Sequence, residues 1–387
     1  MKVLHLCLGC FYIDNYSYQE NLLPKYHKEL GYEVSIIASL LSFDDSGRAC
    51  LLPKGGSYTN EYGIPVTRID YANRFKKFSR IFRLFSGTYE SLVKERPDII
   101  FIHGCQFWDM HKVVKYLKKN QNVKVYFDNH ADFSNSATNW LSRNILHKFI
   151  WRHCAKIIEP YTSKIYGVLP ARTKFLIDIY KMPDSKVEFL PMGADDEMIN
   201  WKHQDEIRDK IRSKFKISKD DFLIITGGKI DPAKAQTLLL MKVVRSMPQN
   251  VKLIIFGSIV PALEEGIMKL CDGEQVQHIG WINSDDIYNY FLASDLGVFP
   301  GRHSVMWEQA IGTGLPCVFK YWEGVTHVDL GGNCRFLYND TFEEIYDLIN
   351  EIYSDEKVFK KMKNVSIEKG VTYFSYNEIG KKSIEHK

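Results

Sequence analysis

The chain has 387 residues, of which 45% are hydrophobic, 25% charged and 13% aromatic. That length exceeds one ordinary core and fits two domains of roughly 150–200 residues, and the composition excludes a disordered or low-complexity polypeptide. Net charge is only +4, yet residues 1–195 carry 27 Lys and Arg against 19 Asp and Glu, while the remainder carries 24 against 28; a basic first half suits a surface near phosphates or acidic lipid.

The opening Met-Lys-Val-Leu-His-Leu-Cys-Leu-Gly reads as a first β-strand. A secretory leader is not expected, because the apolar run is short, contains His5 and leads to no small-residue cleavage site. No run of about 18 apolar residues occurs, so no membrane-spanning helix is expected. The eight cysteines are scattered, as in a cytoplasmic protein with reduced thiols. Cys7-x-x-Cys10 has metal-ligand spacing, but no second such pair completes a zinc set.

Short apolar runs then alternate with amphipathic stretches, the mark of parallel α/β units. In the first half, strands are expected over residues 3–8, 34–38, 66–69, 99–103, 123–128, 156–159 and 186–190, with a helix over 18–30 stopped at Gly31. Residues 74–85 place Phe75, Phe78, Phe82 and Phe85 on one helical face. Lys76, Lys77, Arg80 and Arg83 lie mostly on the other, as suits an anionic membrane surface or a lipid-linked acceptor. Residues 200–220 are dense in charge and read as a linker with a helix. The pattern then restarts, with strands over 222–226, 252–256, 276–279, 296–299 and 316–319. Helices are expected over 235–247, 261–271, 284–293, 304–312, 342–354 and 355–369. The expected fold class is α/β, with two Rossmann-like doubly wound domains facing across a cleft. The first covers 1–195, with a returning helix at 374–387, and the second covers 205–373. Ligands of such sheets bind beyond the carboxyl ends of the strands.

The second half carries an ordered series of chemical features. Gly227-Gly228-Lys229-Ile230-Asp231-Pro232-Ala233-Lys234 follows a strand and opens a helix. Its glycines allow close backbone approach, and Lys229 and Lys234 can hold a diphosphate as point charges. The Gly-Lys-Ser/Thr ending of a Walker loop is absent. Gly257-Ser258 ends the next strand, and His278-Ile279-Gly280-Trp281-Ile282 offers an aromatic and backbone for a planar base. Farther on, Phe299-Pro300-Gly301-Arg302-His303-Ser304-Val305 precedes a helix with Ser304 as its expected N-cap. Glu308 lies one turn in, and its carboxylate can accept hydrogen bonds from sugar or ribose hydroxyls. In the first half, Tyr126-Phe-Asp-Asn-His-Ala-Asp closes a strand. Asp128 and Asp132 make a metal site conceivable, although no wider ligand set accompanies them in sequence.

With these motifs in this order the chain resembles the family-4 glycosyltransferases, retaining enzymes of the GT-B fold that build bacterial capsule, O-antigen or exopolysaccharide. The resemblance runs from Gly-Tyr-Glu-Val-Ser at 31–35 to Phe374-Ser-Tyr, through Leu-Pro-Met-Gly-Ala-Asp at 190–195, Ala293-Ser-Asp and Glu308-Gln-Ala-x-Gly-x-Gly-Leu-Pro. It implies a nucleotide-sugar donor (a UDP- or GDP-sugar), a glycan or lipid-linked acceptor, and peripheral contact with the inner membrane face. No metal cofactor and no nucleic-acid partner are implied. By resemblance Lys234 binds the donor diphosphate, Lys229 stands where arginine is usual, Glu308 holds the ribose, and Gly257, Ser258, Trp281 and Ile282 serve the base. Gly228 belongs to the same donor-binding motif as Lys229 and Lys234, the backbone of Ser304 and Val305 faces the diphosphate, His303 or Arg302 takes over part of the sugar contact, Gly9 stands in the segment that replaces the usual Gly-Gly turn after the first strand, and His130 lines the catalytic site. A second glutamate is usual eight positions before Glu308, and here that position is Pro300. The alternatives on the same architecture are a sugar-nucleotide epimerase and a non-catalytic nucleotide-sugar-binding protein.

Overall fold

The computed structural model describes residues 1–44, 48–73 and 76–384, with Lys76 and Ala233 described by backbone alone. The chain divides into two compact units, Met1–Pro191 with Ile379–Lys387, and Met192–Glu378.

The first unit contains β1 (Lys2–Cys7), β2 (Glu33–Ala38), β3 (Leu41–Phe43), β4 (Ala49–Leu51), β5 (Gly56–Thr59), β6 (Pro65–Arg68), β7 (Ile99–His103), β8 (Lys124–Asn129), β9 (Thr162–Gly167) and β10 (Val187–Phe189). Eight of them form one sheet in the order β10-β9-β8-β7-β1-β2-β6-β5, while β3 and β4 pair as a separate hairpin. Every neighbour in the large sheet is parallel except β5, which turns back antiparallel on β6. The central strands are near-continuous apolar runs because helices cover both faces: Val3, Leu4, Leu6 and Cys7 of β1 and Ile99–Ile102 of β7 are buried. Strand order reverses at β1, with β2 on one side and β7 on the other, so the crevice beyond their carboxyl ends is the switch point of the sheet.

The second unit contains β11 (Phe222–Gly227), β12 (Val251–Phe256), β13 (Val276–His278), β14 (Leu296–Phe299), β15 (Cys317–Lys320) and β16 (Cys334–Leu337), all parallel, in the order β13-β12-β11-β14-β15-β16. Its order reverses at β11, next to β14. Both sheets are therefore doubly wound.

Several expectations change. Residues 156–159 are not a strand: Cys154, Ala155 and Ile158 are buried at helical spacing within the helix Arg152–Ile158, and the strand follows at Thr162–Gly167. Residues 200–220 hold the helix expected there, and that helix is fixed in place. Helix Gln204–Lys214 docks on its own unit through Arg208 and Arg212, whose guanidinium nitrogens lie 2.6 and 3.3 Å from the Asp295 carboxylate. The helix expected over 304–312 starts at Met306, with Val305 rather than Ser304 at the cap position. No helix among the described residues is long and apolar enough to cross a membrane, and all eight cysteines carry free thiols.

Gly9 follows β1 where the backbone of Gly104, after β7, passes closest: a Cβ at Gly9 would sit 2.4 Å from the Gly104 carbonyl oxygen. Gly9→Ala is expected to cost about 1–3 kcal/mol by forcing these two strand ends apart. A thermal unfolding midpoint equal to that of the wild type would contradict this reading of the switch point.

Candidate functional site

At the switch point of the second unit the chain is walled by glycine. Gly228 and Gly257 follow β11 and β12 at φ +102° and +108°, a region that favours glycine. A Cβ at Gly257 would lie 2.1 Å from the Gly228 carbonyl oxygen. One at Gly228 would lie 2.8 Å from Lys234 Nζ, and one at Gly301, after β14, 2.8 Å from Lys234 Cγ. Lys234 thus occupies a trough that only glycines leave open, its Nζ 3.4 Å from the Gly227 carbonyl oxygen. Burial pulls its pKa below the usual lysine value against the opposing pull of Asp231, and an anion beside it would favour the ammonium form further. Lys229 and Ser258 are exposed at the rim. His278 donates from Nε2 to the Gly257 carbonyl at 2.9 Å. Trp281 is 72% exposed, not a core residue. With Ile282, His278 and Tyr290 it lines a concavity of about 430 Å³ that includes neither Lys234 nor Glu308.

Glu308 is completely buried. Its Oε1 accepts from His303 Nε2 at 2.9 Å and from His327 Nε2 at 2.8 Å. Burial alone would raise its pKa; the two imidazoles outweigh burial and lower it to about 2. Two donors on one oxygen fix the rotamer, and Oε2 has no hydrogen-bond partner among the described residues. The side chain is a preset hydrogen-bond acceptor for a hydroxyl group. Ser304 Oγ is likewise buried without a partner, while the Ser304 carbonyl accepts from Trp307 N. His327 was absent from the sequence-derived set; it lies 19 residues beyond Glu308 in a loop with no motif of its own. Pro300, directly after β14, is buried, and a proline offers no carboxylate at that position.

The first unit builds a second centre on Asp128, also fully buried, near the end of β8. Asp128 Oδ2 accepts from His103 Nδ1 at 2.9 Å and from Gln19 Nε2 at 3.1 Å. His130 Nε2 approaches the same oxygen at 3.3 Å, an ion-pair distance without hydrogen-bond alignment, and lies 4.0 Å from Glu20. Burial works against charge on His130, but Asp128 and Glu20 prevail and raise its pKa. Behind His103 runs a line of imidazoles: His103 Nε2 to His5 Nδ1 at 2.9 Å, and His5 Nε2 to His27 Nδ1 at 2.9 Å. His27 Nε2 then meets Ser383 Oγ at 2.7 Å and the Gly380 carbonyl at 3.2 Å.

The Gly380 carbonyl can only accept, so His27 carries its proton on Nε2. Burial lowers the pKa of His27 to about 3 and that of His5 well below the ordinary histidine value, so both are neutral. Each neutral ring then accepts at Nδ1 and donates at Nε2, which leaves His103 donating from both nitrogens. Burial opposes that imidazolium, yet Asp128 raises its pKa to about 9. Sequence reading missed His5, His27 and His103; three histidines in or beside apolar runs were the available signal.

Asp132 is turned away from this centre, toward Arg172 and Ser134. Two residue sets bring three ligand atoms within 4.8 Å of one another, Glu20 with His103 and His130, and His303 with Glu308 and His327. The first of these sets comes from three separate segments, beside Asp128 but without it, and His103, donating from both nitrogens, has no lone pair to offer a metal. The basic-helix expectation changes most. Phe75 and the Lys76 side chain lie outside the described residues. The helix spans only Lys76–Phe82 and ends at Arg83, whose φ is +53°. Arg83 turns inward, its guanidinium on the carbonyl oxygens of Gly9 and Gln106, and Phe82 packs edge-on against Trp108. Lys77, Phe78 and Arg80 remain exposed.

Residues 207–369 match the family model described as "Glycosyl transferases group 1", a match wholly inside the second unit. No curated protein matches the chain. Among solved structures, a glycosyltransferase from Rickettsia africae is 15% identical with a TM-score of 0.67, covering 98% of this chain and 96% of its own. Anabaena HepE in complex with UDP is 14% identical with a TM-score of 0.67, covering 99% and 98%. A sucrose-phosphate synthase from Thermosynechococcus elongatus is 13% identical with a TM-score of 0.66, covering 98% and 96%. These likenesses establish the fold: two Rossmann-like α/β domains with mostly parallel sheets, shared with GT-B glycosyltransferases.

The lowered pKa of Glu308 carries a pH signature. Its ionised form contributes stability that is complete above the unfolded value near 4.5 and is lost as pH falls toward about 2. Glu308→Gln should therefore cost about 3 kcal/mol at neutral pH, and the gap to wild type should close on acidification. Unfolding midpoints of both proteins across the acid range check this; a gap that does not change with pH would refute the ionised, imidazole-held state.

Proposed function

We propose that the protein moves a hexose from a nucleotide-sugar donor, a UDP- or GDP-sugar, to a glycan acceptor carried on a lipid, with retention of anomeric configuration, in bacterial polysaccharide assembly. The carrying observation is Lys234 in its glycine-walled trough at a sheet switch point, with Gly301, one wall of that trough, leading into the helix that holds the buried, prealigned Glu308. A trough walled by backbone admits the oxygens of a diphosphate, and a half-buried ammonium stabilises the charge that grows on it as the sugar–phosphate bond breaks. Glu308 Oε2 then accepts from a ribose hydroxyl. The match of residues 207–369 supports this reading, as does the UDP bound by the structurally similar HepE. His130, held toward its charged form by Asp128 and Glu20, supplies a hydrogen-bond donor or acid to the transferred sugar or departing phosphate. Pro300 removes the usual carboxylate contact to the sugar, and Arg302 and His303 are the nearest polar replacements in sequence.

Calorimetry with UDP- and GDP-sugars tests the donor assignment. Lys234→Ala should weaken donor binding by about 2–3 kcal/mol, roughly 30- to 150-fold; unaltered affinity refutes the diphosphate role. His130→Ala should lower kcat while leaving donor binding nearly intact, and an unchanged kcat removes it from the chemistry. NMR analysis of the product anomer in single-turnover donor hydrolysis must show retention. Donor isomerisation without acceptor would replace this reading with an epimerase, and binding without turnover on any acceptor would replace it with a non-catalytic binding protein.

A further inference from the structure

Two segments of the first unit contain no acidic residue, one between Asp70 and Glu90 and the other between Asp132 and Glu159. The fold makes them neighbours. The Arg83 guanidinium lies 5.8 Å over the Trp151 ring, and Trp108, in contact with Phe82, stacks on His153 at 5.5 Å.

The second segment forms a widened helix over Ser142–Trp151 that continues into Arg152–Ile158. Residues four to five apart share a face of such a helix. One face is anchored: His147 and Trp151 are buried, His147 Nδ1 lies 2.8 Å from Tyr180 Oη, and Leu146 and Ile150 pack on the core. The flank beside it is bare. Leu141, Ile145 and Phe149 are 58, 39 and 69% exposed, and Trp140 at its start is 71% exposed. Arg143 is exposed over the Phe133 ring at 4.6 Å, and Lys156 is exposed on the following helix. The neighbouring short helix adds Phe78 and Ile81, exposed beside Lys77 and Arg80.

Large apolar side chains gathered on one anchored helix exceed the scattered exposure of ordinary surfaces. Their basic, acid-free setting selects the partner. A second copy of the same face would oppose positive charge with positive charge, whereas acidic lipid headgroups complement it.

We infer that the face made by Trp140, Leu141, Ile145 and Phe149, with Arg143 and Lys156 at its border and Phe78 and Ile81 alongside, docks on an anionic lipid bilayer. The aromatic and aliphatic groups enter the headgroup boundary and the cations meet the acidic headgroups. This centres the membrane contact on the helix before Trp151, with the exposed part of the helix before Arg83 beside it. It deepens the lipid-linked acceptor reading by naming the surface where that acceptor is met.

The test uses the full chain and no sugar nucleotide, so failure of vesicle binding and failure of sugar transfer remain distinguishable. Co-sedimentation is measured with vesicles of phosphatidylcholine alone and of phosphatidylcholine mixed with phosphatidylglycerol. The wild type should partition to the anionic vesicles, less so in high salt. The double variant Trp140→Ser, Phe149→Ser should lose about tenfold or more of that partitioning, with an unchanged thermal midpoint because both side chains are exposed. Arg143→Glu should weaken it too. The proposal fails if the anionic vesicles bind no protein, or if the double variant binds as well as wild type. It also fails if the wild type is a dimer that this variant dissociates, which would make the face a protein interface.

Discussion

A carboxylate taken out of water must find compensating charge and hydrogen bonds or lose its proton, and the cost of failing is several kcal/mol. Both units are arranged around this constraint. Asp128 and Glu308 are each fully buried, each is ringed by imidazoles, and each is held on the ionised side by them rather than by lysine or arginine. The polar residues that satisfy Asp128 come from β7, from the start of the helix Gln19–Glu29 and from the segment after β8. Those that satisfy Glu308 come from the loops after β14 and β15. Neither carboxylate can stay charged once buried unless segments distant in sequence have closed on it, so each centre is complete only when its own sheet is correctly assembled.

The second shared device is the reversal of strand order. At β1 and β7 in one unit, and at β11 and β14 in the other, adjacent strands send their connections to opposite sides and leave a crevice. Glycines occupy it because backbone must pass backbone there, as the contacts of Gly9 with Gly104 and of Gly257 with Gly228 show. What differs is the charge put into the crevice. The second unit offers an ammonium and a preset acceptor, suited to an anion bearing hydroxyls. The first offers imidazoles and a carboxylate, suited to moving or holding a proton.

Most strands were legible because a parallel strand buried on both faces is a short apolar run between turn residues, as in Ile99–His103 or Val251–Phe256. The errors arose where that signal weakens. β5, Gly56–Thr59, is exposed throughout and carries no apolar pattern, and β16 is a half-polar edge strand. Ile157–Ile158 mimicked a strand because a two-residue apolar pair has no period. In the second unit the glycines and Lys234 were legible, since close backbone approach leaves a compositional trace. His327 and the His5–His27–His103 line were not: a histidine in an apolar run looks the same whether it merely fills space or completes a chain. The basic helix misled because sequence spacing assumes that the helix continues, whereas a left-handed Arg83 ends it and sends the next side chains inward.

The imidazole line has a direction. The Nε2–H vectors of His103, His5 and His27 all point toward the carbonyl of Gly380, so the neutral His5 and His27 rings form an aligned row of dipoles whose negative ends face the His103 imidazolium beside Asp128 and whose positive end rests on Gly380. Such a row is polarised as a whole and is strengthened by each member. The helix Tyr376–Ile384 is therefore more than a closing strap on the first unit. Its Gly380 and Ser383 acceptors are the electrical ground of the row, and the field at Asp128, and through it at His130, is referred to a backbone carbonyl that lies more than 250 residues away in sequence.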